Sequence, residues 1–152
     1  ALTPAPFDPP VFIGRDKTLQ DLRKKLLAGQ HLLLLVNGQG GMGKTSFAAK
    51  YWLRYQKEYK HLAFLYVGDG IVSPMLSMAN TLGLTFPETM PEAERFPLLL
   101  HKLATLEETC LLVLDNATIT RNYKNTFRRC TGCPIFTCCS PRGWTRCRKR
   151  KV

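Results

Sequence analysis

No run of apolar residues in this 152-residue chain approaches the roughly 18 needed to cross a bilayer. The first residues, Ala1-Leu2-Thr3-Pro4-Ala5-Pro6, lack the basic and apolar regions of a secretory signal. A cytoplasmic location with no membrane partner is therefore expected. An initiator methionine is also missing, from which a fragment or a trimmed product is expected. Acidic residues stop at Asp115: up to Ala117 there are 12 Lys/Arg against 11 Asp/Glu, whereas residues 118–152 hold ten Lys/Arg and no acid. The net charge of +11 thus belongs almost entirely to the tail. Cysteine is equally uneven, with only Cys110 of the six preceding residue 130. The three histidines, His31, His61 and His101, share no spacing that would suit a metal or a catalytic set, so structural roles are expected. No internal repeat is visible, and the length suits one domain with a real core.

What is present is concentrated at one place. Gly38-Gln39-Gly40-Gly41-Met42-Gly43-Lys44-Thr45 fits the phosphate-binding pattern G-x-x-x-x-G-K-[ST]. It lies between His31–Asn37, an apolar run of strand length, and Ser46–Gln56, where Phe47, Ala48, Tyr51, Trp52 and Tyr55 recur at helical spacing. Glycines at 38, 40, 41 and 43 let the backbone, with Met42, wrap closely enough for successive N–H groups to face phosphate oxygens. The helix that follows adds the positive end of its dipole. Lys44 is expected on the β- and γ-phosphates, the Thr45 hydroxyl on Mg²⁺, and Ser46 beside them in the first turn. The expected ligand is ATP or ADP with Mg²⁺; no N-K-x-D guanine motif is visible.

Around this motif the chain alternates strand and helix patterns. Residues 1–11 hold four of the ten prolines and are expected to form an extended lead-in. Asp16 suits the N-cap of a helix with Leu19, Leu22, Leu26 and Leu27 as its apolar stripe and Gly29 as its stop. His61–Val67 is a second strand pattern, closed by Gly68-Asp69-Gly70. Met75–Leu82 suits a short helix ending at Gly83. Thr89 suits the cap of another over Pro91–Leu106, kinked at Pro97 or beginning there. Tyr51, Trp52 and Tyr55 are expected to pack the helix they lie on. Leu111-Leu112-Val113-Leu114-Asp115 is apolar throughout, as a parallel strand covered on both faces requires, and ends in an acid. That pattern fits a Walker B carboxylate, with Asp115 expected to hold Mg²⁺, usually through water. The expected fold is α/β: a P-loop NTPase with a parallel sheet flanked by helices, over residues 12–117.

The stretch from Phe12 to Ala117 resembles the nucleotide-binding domain of the STAND signalling NTPases, which include the NB-ARC and NACHT proteins. Phe12-Ile13-Gly14-Arg15-Asp16, Gly40-Gly41-Met42-Gly43-Lys44-Thr45 and Leu111-Leu112-Val113-Leu114-Asp115-Asn116-Ala117 carry the resemblance, in that order. It implies an ATP/ADP switch in signal transduction, closed with ADP and opened by exchange for ATP. Sensor and repeat domains would then follow on the C-terminal side, outside this chain. It also implies that Phe12–Arg15, with Ile13 and Arg15 as nucleotide contacts, border the base and ribose. Where many P-loop ATPases have an acid that polarises the attacking water, this chain has Asn116. An amide cannot accept a proton as a carboxylate does, so slow hydrolysis is expected. The alternative is a nucleic-acid-dependent ATPase resembling origin-recognition or clamp-loader AAA modules, which share the Gly-Arg lead; Asn116 argues mildly against it.

The tail admits two readings. Cys130-Thr131-Gly132-Cys133 has C-x-x-C spacing, and Cys138, Cys139 and Cys147 offer further zinc ligands beside positive charge suited to nucleic acid. The second set lacks ribbon spacing, and no histidine pair accompanies it. The other reading starts from the sheet. Domains of the STAND type have a further strand, ending in a polar sensor residue, between the strands that carry the phosphate loop and the acid. Without it, unpaired edges are expected in mid-sheet. With suitable synonymous codons for Arg129–Gly143, a start at the last base of the first codon spells L-H-R-L-P-N-F-H-L-L-L-T-S-R: a loop, a buried strand and a Thr-Ser-Arg ending. A frameshift shortly after Ala117 would explain this. The sheet is then expected to be incomplete at its C-terminal side, and the tail cysteines to have no designed role.

Overall fold

Leu19, Leu22 and Leu26 recur every three or four residues and form the buried stripe of α1, Asp16–Leu27. Leu27 follows Leu26 by about 100° of helical turn and is 39% exposed, so it lies off the expected stripe. Asp16 is the first helical residue rather than the cap, and it pairs with Arg54 across the surface. The computed structural model describes residues 1–27, 31–36, 43–68, 70–116, 135–138 and 145–146. Gly29, Asp69, Ala117 and the tail cysteines 130, 133, 139 and 147 fall outside them.

The elements after α1 are β1 (His31–Val36), α2 (Lys44–Tyr55), β2 (His61–Tyr66), α3 (Val72–Leu76), α4 (Glu92–Ala104), β3 (Cys110–Asp115), β4 (Ile135–Cys138) and β5 (Thr145–Arg146). They form a mixed α/β architecture on one sheet of order β2-β3-β1-β4-β5. β2, β3, β1 and β4 run parallel, and β5 pairs antiparallel with β4. The register aligns Val36 with Asp115, and Asp115 with Tyr66, so the first three strands end abreast. Among open α/β sheets, that carboxyl end is the usual ligand side.

Two expectations about the sheet change here. No strand lies between β1 and β3; they pair directly over six residues, from His31 with Cys110 to Val36 with Asp115. The edges expected to lack partners are therefore satisfied by each other, and β4 takes the far edge of β1. β4 falls within the stretch whose alternative reading spells a strand, but on the other side of β1 from the place the resemblance implies.

All six residues of β3 are buried, and their side chains divide by alternation. Leu111 and Val113 join a cluster with Leu19, Tyr51 and Trp52, while Leu112 and Leu114 join another with Met75, Leu99 and Leu103. One face is thus covered by α1 and α2, the other by α3 and α4. The Tyr51 and Tyr59 hydroxyls meet at 2.6 Å within the first cluster. There burial pushes both phenols above the ordinary range, Tyr59 to about 12.

The expected helix over 75–82 begins earlier and breaks. α3 stops at Leu76, a short 3-10 turn covers Asn80–Leu82, and Gly83 ends it at φ 74, a conformation glycine adopts without a Cβ clash. α4 begins at Glu92 with Pro91, extended, in the cap position; Thr89 is not its cap, and Pro97 stands in the helix interior. The lead-in also does more than extend. The Leu2 N–H donates to the Leu62 carbonyl at 2.6 Å, and the Phe64 N–H to Thr3 Oγ1 at 2.8 Å. Residues 2 and 3 therefore cover part of the outer edge of β2, with the Leu2 side chain buried. No helix among the described residues is long and apolar enough to cross a membrane.

Candidate functional site

α2 starts from a glycine for a backbone reason. Gly43 has φ 66, a left-handed conformation that costs other residues strain, and its carbonyl accepts the Phe47 N–H at 2.9 Å as the helix's first bond. Gly38, Gly40, Gly41 and Met42 lie outside the described residues, so the loop is seen only where it enters the helix. Lys44, Thr45 and Ser46 occupy the first turn of α2 and are half-buried.

The first turn meets the end of β3. Thr45 Oγ1 donates to Asp115 Oδ1 at 3.0 Å, joining residues 70 positions apart. Asp115 is 3% exposed, the one buried charged residue among those described. Burial pushes its carboxyl above the usual carboxylate range; the Thr45 hydroxyl, the Asn116 N–H and the charge of Lys44 pull the other way. The positive end of the α2 dipole and a lysine thus stand beside a largely desolvated carboxylate.

The segment Phe12–Arg15 approaches the same place. Phe12 packs its ring 5.9 Å from that of Phe47, centroid to centroid, which docks the segment on α2. Arg15 Nη1 lies 3.7 Å from the point a Cβ on Gly43 would occupy. The structure therefore brings Arg15 to the start of α2, together with Lys44, Thr45 and Asp115. Ile13 is 83% exposed and takes no part in the packing.

Mg²⁺ is tested by the oxygens present. A hydroxyl and a carboxylate are hard donors, and two neighbouring ligands of an octahedral ion with bonds near 2.1 Å stand about 3 Å apart. Thr45 Oγ1 and Asp115 Oδ1 have that separation. No group of three or more His, Cys, Asp or Glu side chains among the described residues forms a closed metal cage. An ion here would take its remaining ligands from phosphate and water, which is the usual manner for Mg²⁺.

Two residues that sequence reasoning did not single out, or singled out for something else, complete the rim. The Tyr66 hydroxyl accepts a hydrogen bond from Asn116 Nδ2 at 2.8 Å, and the Val67 N–H donates to the Asp115 carbonyl at 3.0 Å. The sequence signal for Tyr66 is an aromatic one residue before the end of a strand pattern, which has no meaning until the register places it opposite Asp115. Comparison of the chain with known protein families and with curated proteins gives no match.

Proposed function

We propose that this chain is a P-loop NTPase module that binds ATP or ADP with Mg²⁺. The observation that carries this is the Thr45–Asp115 hydrogen bond: it joins the hydroxyl that follows a G-x-x-x-x-G-K pattern to the acid that ends an apolar parallel strand. In this reading the backbone N–H groups of 38–43 and the N-terminus of α2 receive the phosphates, and Lys44 offsets their charge. Thr45 and Asp115 hold Mg²⁺, which when bound neutralises phosphate charge. Arg15 adds a second cation at the start of α2, on the side where Phe12 anchors its segment.

The resemblance to STAND proteins extends this to an ATP/ADP switch in signalling, coupled to sensor and repeat domains. Phe12 packing on Phe47 and Arg15 reaching the start of α2 support the extension. The direct pairing of β1 with β3 departs from it, because the family's sensor strand lies between those two. Slow hydrolysis suits both Asn116 and the lack of that strand between β1 and β3.

Calorimetric titration of the 152-residue chain with ADP and with Mg-ATP tests the proposal. Binding is expected to weaken about a hundredfold in Lys44→Ala, since a charge-assisted contact to phosphate is lost. Equal binding by chain and variant would overturn it.

A further inference from the structure

The outer edge of β2 is only half covered. Along a strand, alternate residues turn their backbone groups to the same edge. The His61 and Val67 N–H groups donate to the Thr109 and Asp115 carbonyls, toward β3, so Leu62, Phe64 and Tyr66 face outward. Leu2 and Thr3 meet the first part of that edge. The Leu2 N–H donates to the Leu62 carbonyl, and Thr3 Oγ1 accepts the Phe64 N–H while donating to the Pro4 carbonyl at 3.3 Å. Residue 2 meets 62 and residue 3 meets 64, so the segment runs parallel to β2. The Leu2 side chain is buried in the cluster that holds Ala63 and Leu65.

In a parallel ladder, the N–H two residues beyond Leu2 goes to the Phe64 carbonyl, and the carbonyl of that same residue accepts the Tyr66 N–H. That residue is Pro4, which has no N–H. Among the described residues neither the Phe64 carbonyl nor the Tyr66 N–H has a partner on this edge. Open edges are usually guarded by lysine, proline or other charge, and His61–Tyr66 contains none of these. Tyr66, 66% exposed, stands at the open end. We propose that the outer edge of β2 is a docking site for an extended segment of a partner protein, and that residues 2–3 occupy it as an internal stand-in until the partner arrives. The partner segment runs parallel to β2, with an apolar residue at the Leu2 position and any residue except proline two positions later. Its backbone continues from the seat of Leu2 and Thr3 into the two groups that Pro4 leaves open. It displaces the lead-in by making more hydrogen bonds on the same edge. Asp8 pairs with Lys50 and Phe12 packs on Phe47, so the displaced residues stay tethered to α2 and return when the partner leaves.

Fluorescence anisotropy on the full chain, with a labelled peptide of residues 1–7 carrying Pro4→Val, tests this. The peptide is expected to bind at least about tenfold more tightly than the unaltered 1–7 peptide, since two more backbone bonds form. N-methylation at its fourth residue is expected to abolish that gain, because the Phe64 carbonyl then receives no proton. The chain variant Leu2→Asp puts a charge where Leu2 is buried, frees the edge, and is expected to bind the peptide about tenfold more tightly than the parent does. Pro4→Val in the chain completes the internal pairing and is expected to weaken peptide binding about tenfold. Thr3→Val, which cannot accept from Phe64, shifts binding in the same direction as Leu2→Asp and replaces it if circular dichroism shows that variant unfolded. Equal affinity or no binding across the chains, indifference to N-methylation, or a Leu2→Asp chain that sediments as a dimer and refuses the peptide overturns the proposal.

Discussion

Asp115 is the residue at which stability and the proposed function conflict. Its carboxyl is pushed up by burial, so the folded chain binds a proton at this site more readily than the unfolded chain does. Stability from this group is therefore highest below the ordinary carboxylate pKa of 3.8 and falls as pH rises through the window between that value and the raised one. Above the window the ionised, buried carboxylate is a constant liability. Asp115→Asn keeps an oxygen that can accept from Thr45 and removes the charge. Its thermal midpoint at pH 7 is expected to lie a few degrees above the parent's, with the difference shrinking toward about pH 4, measured by circular dichroism. The same variant is expected to lose the Mg²⁺ dependence of ATP binding. A midpoint below the parent's at pH 7 would contradict the desolvation account. Asp115 and Thr45 are legible as candidates because their residue types carry the chemistry wherever they stand. Tyr66 is not, because an exposed tyrosine acquires a role only from what it faces.

Among the elements, buried stripes are legible and boundaries less so. Leu19, Leu22 and Leu26 predict α1 by spacing alone, because a period near 3.6 brings them to one side whatever covers them. Asp16 and Thr89 look like caps, yet neither is one: capping needs an extended backbone at the residue itself, and at α4 Pro91 occupies that place. By sequence, Pro97 suits a kink and a helix start equally. The structure puts it within α4, exposed, with Leu99, Leu100 and Leu103 continuing the buried stripe beyond it. A proline there removes one backbone hydrogen bond and crowds the preceding turn. Pro97→Ala is expected to stabilise the chain by about 2 kcal/mol in urea unfolding, with an unchanged slope. No gain would mean that the turn around Glu92–Phe96 has already adapted to the ring.

At the scale of the whole molecule the decisive fact is strand order. β1 and β3 are neighbours, so His31 is the register partner of Cys110. Cα atoms of adjacent strands lie about 4.8 Å apart, within reach of a disulfide, while an intervening strand would double the distance and put it out of reach. His31→Cys is therefore expected to form a crosslink with Cys110 on oxidation, identified by peptide mapping. Its absence, with Cys110 reactive after unfolding, would favour a strand between the two. The same experiment on a chain carrying the other-frame reading of residues 118–152 is expected to give no crosslink if that segment enters mid-sheet.

Local patterning dictated that strands and helices alternate, that β3 is covered on both faces, and that a G-x-x-x-x-G-K-T pattern precedes α2. Each follows from period and residue chemistry over a few neighbours. The tertiary structure decided the neighbours of each strand, and with them the meeting of Thr45, Asp115, Asn116 and Tyr66 at one end of the sheet. Backbone hydrogen bonds between parallel strands are alike in any order. The order is chosen by how all the helices and loops pack at once, and no short stretch of sequence contains that.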